Sequence, residues 1–432
     1  MASAQDGAPE RDTAPADPAE PERGCTHAVG DTAAAREGMV ARLEEAGVLR
    51  LGPVREALLA IRREVLIPHA YVRRSPPGEL PPRWDLLAWA DPADRDELLA
   101  LLHGGESVLI QHSGEQVLGR IPGPRSGGVI TSMTSVVGMT AGLLQELDLR
   151  RGQRVLDIGT GAAVTAAIAC WICGDRNVVT LDRDAHLTEA AQARLADLGY
   201  WPTAVTGDGA EGWPGGAPYE RIFVSYAVPR VPHAWVGQLA PGGRAMATLS
   251  GTSPSWPGLA IVTAAADGRV QGEVRPVEFG HRPGHGFERL CITREFLGRI
   301  EAGEDTSRLV HTRTAPPPDD ARGFWLALDH LYPGLVRNWG ADHLVIGAPV
   351  CGSWLTARAG ESGRWSLAAE GPRDIWEEIQ SVAALWRAAG APSVYRLHLG
   401  DHDQQWISAG SGTTELSWPL PGSDTADGEE AR

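Results

Sequence analysis

Three acids and three glycines of this 432-residue chain fall at spacings that suit chemistry on a small charged ligand. The run "RVLDIGTGAA" (154–163) carries an apolar stretch into Asp157 and then breaks into Gly159-Thr160-Gly161. Glycines at such a break let backbone approach a ligand closely, and an acid two residues earlier suits a cationic group. Asp182 closes the next apolar run, "VVTLD", where an ionised carboxylate accepts from both hydroxyls of a ribose. Asp208, with Gly209 beside it in "TGDGAEGW", is placed to reach an adenine amino group. A dinucleotide site would show the longer G-x-G-x-x-G turn that holds a pyrophosphate. Here the turn is tighter, and Ala163 stands where a further glycine is expected. The ordered set Asp157, Gly159, Thr160, Gly161, Asp182, Asp208 and Gly209 therefore reads as a pocket for S-adenosyl-L-methionine, which has no pyrophosphate to cradle. A turn of the same kind with no ligand is the alternative. Ala163 forbids little if its φ is helical, because only a positive φ demands glycine.

These residues need strands and helices in alternation to hold them. "RVLDIG", "NVVTLD" and "RIFVSYA" are short apolar runs separated by the apolar segment "TAAIACWI" and by "AHLTEAAQARLADLG", a helix with glycine at its C-terminal end. Such alternation predicts parallel strands with helices on both faces and a ligand at the strands' carboxyl ends. Upstream, helical spacing in Met39, Leu43 and Val48, then Val54, Leu58, Leu59 and Ile61, predicts two short helices ending before Pro68. A further helix is expected over 95–102, and "SVLIQHSG" reads as a strand entering a turn.

The length calls for more than one core. Residues 1–36 and 419–432 read as disordered tails. Residues 37–149 form an N-terminal helical and substrate-loop region, 150–300 the ligand-binding domain, 301–322 a linker around "APPPDD", and 323–418 a small C-terminal α+β domain. That last stretch holds eight of the 15 tryptophans, most simply core and interface anchors. A net charge of −16 argues against a nucleic-acid partner. No apolar run approaches a membrane span, the acidic N-terminus lacks the features of a signal peptide, and five cysteines give no disulfide framework. A cytoplasmic protein is expected.

Several segments then carry a resemblance. "GMVARLEEAGVLRLGPVREALLAIRREVLIPHAY", "TSMTSVVGMTAGLLQEL", "VLDIGTG", "VVTLDRD", "LGYWPTAVTGDGAEGW" and "APYERIFVSYAVPRVPHAWVGQLAPGGRA" resemble, in that order, the protein-L-isoaspartate O-methyltransferase family over about residues 38–250. The insertion between about 75 and 114 and the Trp-rich C-terminal region resemble the branch associated with lanthipeptide and other modified-peptide pathways. The resemblance implies a Rossmann-like α/β methyltransferase sheet, an N-terminal helical cap, S-adenosyl-L-methionine, and a peptide or protein substrate, including a ribosomally made precursor peptide. General repair of isoaspartyl proteins is one alternative, and a non-catalytic binding module on the same scaffold is another. The resemblance aligns "SMTS" (132–135) with the family's Ser-Ala-Pro-His loop. Ser132 then takes the place of the substrate-contacting serine, and Met133, Thr134 and Ser135 replace the other three. Thr131 and Thr134 are weaker candidates for the same work; a helix N-cap is the plain structural role for Ser132. An aspartate nucleophile is already ionised at neutral pH, so no general base is expected.

Other tempting residues have simpler explanations. Cys170 and Cys173 form a Cys-x-x-Cys inside an apolar segment, with no second pair to complete a metal site. His281 and His285 lie in a glycine-rich loop, His112 stands near the proposed substrate loop, and Tyr226 follows the third apolar run.

Overall fold

The structure, a computed structural model, describes residues 24–76, 79–250, 258–277, 292–304, 307, 309–339, 343–400, 404–410 and 415–422. The N-terminal region opens with α1 (Gly24–Glu45), α2 (Pro53–Ala60) and α3 (Arg63–Leu66). It continues through β1 (His69–Arg73), β2 (Arg83–Ala88), α4 (Arg95–His103), β3 (Val108–His112), β4 (Gly123–Ser126), β5 (Ile130–Thr134) and α5 (Val137–Leu147). The five strands pair antiparallel in the order β4-β2-β1-β3-β5. The expected helical cap is thus half sheet. β3 lies in "SVLIQHSG", where a strand is expected; the others are short and lie between Pro/Gly-rich stretches, which hides them from a search for periodicity. Helix α1 also begins inside the stretch read as a disordered tail.

The central region alternates as predicted: β6 (Val155–Ile158), α6 (Val164–Cys173), β7 (Val178–Asp182), α7 (Ala185–Asp197), β8 (Thr203–Thr206) and β9 (Tyr219–Val228). After α8 (His233–Gly237) come β10 (Leu239–Leu249), β11 (Gly258–Ala264) and β12 (Val270–Pro276). Strands β8-β7-β6-β9-β10 pair in parallel, and the chain's jump from β8 back to β9 places a topological switch point between β6 and β9.

The C-terminal region supplies α9 (Arg294–Glu304), β13 (Val310–Thr312), α10 (Arg322–Leu331), β14 (Val336–Trp339), β15 (His343–Ala348), β16 (Ser353–Ala359) and β17 (Trp365–Glu370). It ends with α11 (Ile375–Ala388), β18 (Tyr395–Leu399), β19 (Gln405–Ala409) and β20 (Leu416–Pro419). Strands β13 to β17 make their own antiparallel sheet, whereas β18 pairs with β12 and extends the central sheet to ten strands. The expected linker at 301–322 contains the end of α9 and all of β13.

A parallel sheet must be covered on both faces. Along β6, Val155 enters one core while Leu156 and Ile158 enter the other; β11 divides Leu259 and Ile261 from Ala260 and Val262 in the same way. The first core is closed by Met39, Leu58, Leu144, Ile168 and Leu187 from α1, α2, α5, α6 and α7. The second is closed by Trp235 of α8, Phe324 and Leu328 of α10, and Ile379 and Val382 of α11. The Trp-rich region is therefore the second layer of the central fold. Trp325 and Trp418 are buried in it, as anchors should be, while Trp406 stays half-exposed and stacks on His398. No helix among the described residues is long and apolar enough to cross a membrane.

Candidate active site

The glycine turn folds over the end of β7. The amides of Gly159 and Thr160 both donate to the Leu181 carbonyl, at 2.8 and 3.3 Å, and the Gly161 amide donates to Asp182 Oδ2 at 3.0 Å. The other oxygen of Asp182 accepts from the Asp184 amide at 3.1 Å. Two backbone donors thus fix this half-buried carboxylate at the strand's end. Burial still raises its pKa, against the pull of those two amides.

Gly159, Gly161 and Ala163 all adopt positive φ, at 92°, 50° and 62°. Ala163 is therefore left-handed rather than helical, so the condition under which its methyl would cost little fails. A left-handed alanine costs roughly 1–2 kcal/mol, partly offset by burying its methyl, worth about 0.8 kcal/mol. The side chain is fully buried in the core between the sheet and α6.

Asp157 does not open onto the crevice. It is wholly buried; Oδ2 accepts from the Thr180 hydroxyl at 2.8 Å, and Oδ1 has no partner among the described residues. Thr180 gives its one proton to Asp157, so the Thr160 hydroxyl, 2.7 Å away, donates to Thr180 in turn. Thr160 is thereby turned inward. Burial pushes the Asp157 carboxyl up to about 7, Thr180 opposing.

The expected catalytic hydroxyls fall on β5, a strand rather than a loop, and they separate cleanly. Thr131 donates to Gln111 Oε1 at 2.7 Å and accepts from the Gly114 amide at 3.0 Å. Thr134 is buried and accepts from the Val108 amide at 3.3 Å. The Ser132 hydroxyl makes no hydrogen bond among the described residues. Its Oγ lies over the glycine turn, 3.8 Å from where a Cβ on Gly161 would stand. The N-cap of α5 is Val136, without a side-chain cap, so Ser132 has no capping role.

Tyr226, at the carboxyl-terminal end of β9, spans the gap between two of the expected ligand-binding glycines. A Cβ on Gly159 would come within 3.1 Å of its ring, and one on Gly209 would run into its hydroxyl. Burial, with Asp208 and Asp182 nearby, raises its phenol to about 12. Because Tyr226 fills the space between Gly159 and Gly209, room to cradle a ligand is found on the Gly161, Asp182 and Ser132 side. Asp208 is exposed and accepts from the Ala210 amide at 2.9 Å, and the Gly209 carbonyl accepts from Trp235 Nε1 at 2.7 Å.

A profile of the protein-L-isoaspartate(D-aspartate) O-methyltransferase family matches residues 124–258, from β4 to the start of β11. The protein-L-isoaspartate O-methyltransferase of Rhodospirillum rubrum is 37% identical over 158 residues, covering 36% of this chain and 70% of that protein. That of Ignicoccus hospitalis is 36% identical over 143 residues, covering 33% of this chain and 67% of its own. The chain belongs to the protein-L-isoaspartate O-methyltransferase family. A solved structure of a protein-L-isoaspartate O-methyltransferase superposes with a TM-score of 0.44 at 18% identity, covering 89% of this chain and 99% of that one. As a member of the family, the protein is an O-methyltransferase with S-adenosyl-L-methionine as its methyl donor. The residues present fit such a donor: an open glycine at 161, and a carboxylate beside it whose two oxygens each keep a lone pair free.

Two residues of this methyltransferase escaped the sequence reading. Gln111, buried on β3, donates Nε2 to Asp184 Oδ2 at 2.8 Å and to the Glu115 carbonyl at 3.0 Å. Asp184 Oδ1 meanwhile accepts from the His186 amide, capping α7. The pair ties the sheet that carries Ser132 to the strand end that carries Asp182. Asp184 could have been found as a helix cap; nothing in the spacing links it to Gln111. The remaining candidates lie elsewhere. His112 is buried, bonds the Gly127 carbonyl at 2.8 Å and packs against Tyr71. Cys170 and Cys173 are buried thiols whose pKa values burial raises, and no metal-binding cluster occurs among the described residues. His281 and His285 lie outside the described residues.

Proposed function

We propose that this enzyme methylates the side-chain or α-carboxylate of an aspartate or isoaspartate in a ribosomally made peptide, acting in the cytoplasm. The observation that carries the site assignment is the uncommitted Ser132 hydroxyl above Gly161, while both neighbouring threonines are engaged. When bound, the donor supplies an electrophilic methyl group. The protein's share is alignment and exclusion of water, for which proximity is worth up to roughly 7–11 kcal/mol. Ser132 orients the incoming carboxylate by donating a hydrogen bond. Asp182 receives the ribose hydroxyls, Gly161 admits the donor's amino-acid portion, and Asp208 faces the adenine. Asp157 and Thr160 act indirectly, bracing the turn from inside through Thr180. In the product, a neighbouring backbone nitrogen attacks the ester carbonyl and methanol leaves, giving a succinimide.

Two features support a dedicated peptide over general repair. The Ser-Ala-Pro-His loop is replaced by Ser132-Met133-Thr134-Ser135, of which Ser132, Met133 and Thr134 are held in a strand. The sheet of β1 to β5 that carries them is built partly from the inserted segment.

The test compares methyl transfer to a short isoaspartyl peptide and to an Asp-containing precursor peptide encoded beside the gene. Transfer to the precursor is expected; turnover of the isoaspartyl peptide alone would leave general repair as the activity. Ser132→Ala is expected to lower kcat about ten- to hundredfold, the worth of a hydrogen bond to a charged group, while donor affinity is unchanged. Unaltered turnover removes Ser132 from the reaction.

A further inference from the structure

A cavity of about 440 Å3 lies away from the crevice, between the α3–β1 junction, the 117–119 loop and the C-terminal half of α7. Its charged lining is Arg62, His69, Arg194 and Asp197, and Val117 and Leu118 give it an apolar wall. Arg194 is 5% exposed and donates Nη1 to the Leu66 carbonyl at 3.1 Å, but forms no ion pair among the described residues. Its neighbour Arg120 is also buried, yet is neutralised by Glu115 at 2.8 Å. His69 Nδ1 is buried without a partner among the described residues. At the rim Arg62 donates to the Asp197 backbone carbonyl at 3.4 Å, and both of these side chains are exposed.

A buried cation is costly unless a carboxylate, phosphate or similar group pairs with it. In a chain of net charge −16, Arg194 is buried beside Arg120 and the His69 imidazole, and no acid among the described residues pairs with it. A guanidinium presents five donors in a fork that matches carboxylate and phosphate oxygens, and a carbonyl uses only one of them. Burial and Arg120 bring the Arg194 pKa down to about 10, still well within the charged range at neutral pH.

We propose that this cavity binds a small organic anion, its carboxylate or phosphate group held by Arg194 and its apolar body seated against Val117 and Leu118. The site is independent of the methyl-transfer crevice and shares no residue with it.

The experiment measures thermal unfolding and calorimetric binding of the full chain with benzoate and with inorganic phosphate, each against chloride at equal ionic strength. A saturable rise in Tm with either probe beyond chloride is expected, since a ligand bound only by the folded state stabilises it by mass action. Benzoate acting more strongly than phosphate marks a carboxylate on an apolar body; the reverse order marks a phosphate group. Ala193→Trp, an exposed substitution on α7 that fills the cavity, should abolish the rise, and Leu118→Trp on the facing wall should do the same. Arg194→Lys, which loses the fork, should weaken binding at least tenfold. The rise should persist in Asp182→Ala, which separates this site from the crevice. No rise beyond chloride for either probe, or an equal rise in both tryptophan variants, overturns the proposal.

Discussion

The two faces of the ten-stranded sheet are covered by different parts of the chain and do different work. One face carries α6 and α7, the crossover helices of the parallel strands, together with α1, α2 and α5. The glycine turn opens α6, Asp184 caps α7, and Gln111 reaches α7 from the N-terminal sheet. The other face carries α8, α10 and α11, with Phe324, Trp325 and Trp418 at its centre. Apart from Tyr226, whose ring packs against this core, the site draws little from it. One layer places the groups of the candidate site, while the other mainly supplies the burial that a parallel sheet cannot do without.

The most severe way to break this division is to remove residues 293–432. That uncovers Leu156, Ile158, Val179, Leu181 and Val224 on the second face. Domain stabilities are only about 5–15 kcal/mol, so cooperative unfolding should be lost. A truncated chain that melts cooperatively and still binds the donor would show the C-terminal layer to be dispensable.

Next come two substitutions with opposite signatures. Trp325→Ala should cost about 3–5 kcal/mol of stability, read by chemical denaturation, and leave the donor's Kd unchanged. Its indole is fully buried, donates to the Pro318 carbonyl at 2.9 Å and lies under the Arg337 guanidinium. Asp182→Ala should do the reverse, weakening donor binding by about 2–4 kcal/mol in calorimetry, with a small change in Tm. If both variants lose binding and stability together, the faces are not separable.

A smaller effect is expected across the junction between the two sheets. Gln111→Leu leaves Asp184 Oδ2 and the Thr131 hydroxyl without their partner, at about 1–3 kcal/mol. As a positioning residue it should lower kcat by about tenfold and spare donor affinity. A double-mutant cycle with Asp184→Asn should give a coupling of at least about 0.5 kcal/mol. Additive effects would mean that the bond does not hold the sheets in register.

Smallest of all, Ala163→Gly should move stability by less than about 1 kcal/mol. Relief of left-handed strain is opposed by the lost buried methyl and by the freer unfolded chain. Ala163→Val, branched at a left-handed position, should be clearly destabilising in the same melt. A large loss on glycine substitution would mean that the methyl matters more than the backbone.

Much of the first face was legible in the sequence. "VLD" and, but for Thr180, "VVTLD" are apolar up to their acids because parallel strands are buried on both sides. The helix over "AHLTEAAQARLADLG" shows its terminal glycine directly, whereas its cap, Asp184, is identified only in the structure. The second face was harder to read. Its helices α10 and α11 belong to the sheet only because β18 pairs with β12, through partners such as Val274 and Tyr395 that lie far apart in the chain. The Trp-rich region therefore looked like a domain of its own.

The sequence by itself determined the chemistry on offer: a glycine turn, acids at strand ends, hydroxyls at 131, 132 and 134, and two cysteines in an apolar segment. The turn and the acids follow from residue type and local period, which act over a few positions; the hydroxyls are singled out by the family resemblance. Tertiary structure decided which of them are free to work. It buried Asp157, turned Thr160 inward, engaged Thr131 and Thr134, left Ser132 over Gly161, and gave Ala163 a glycine's backbone. Availability depends on the hydrogen-bond partners that other elements bring, and those partners are fixed only when the sheets pack.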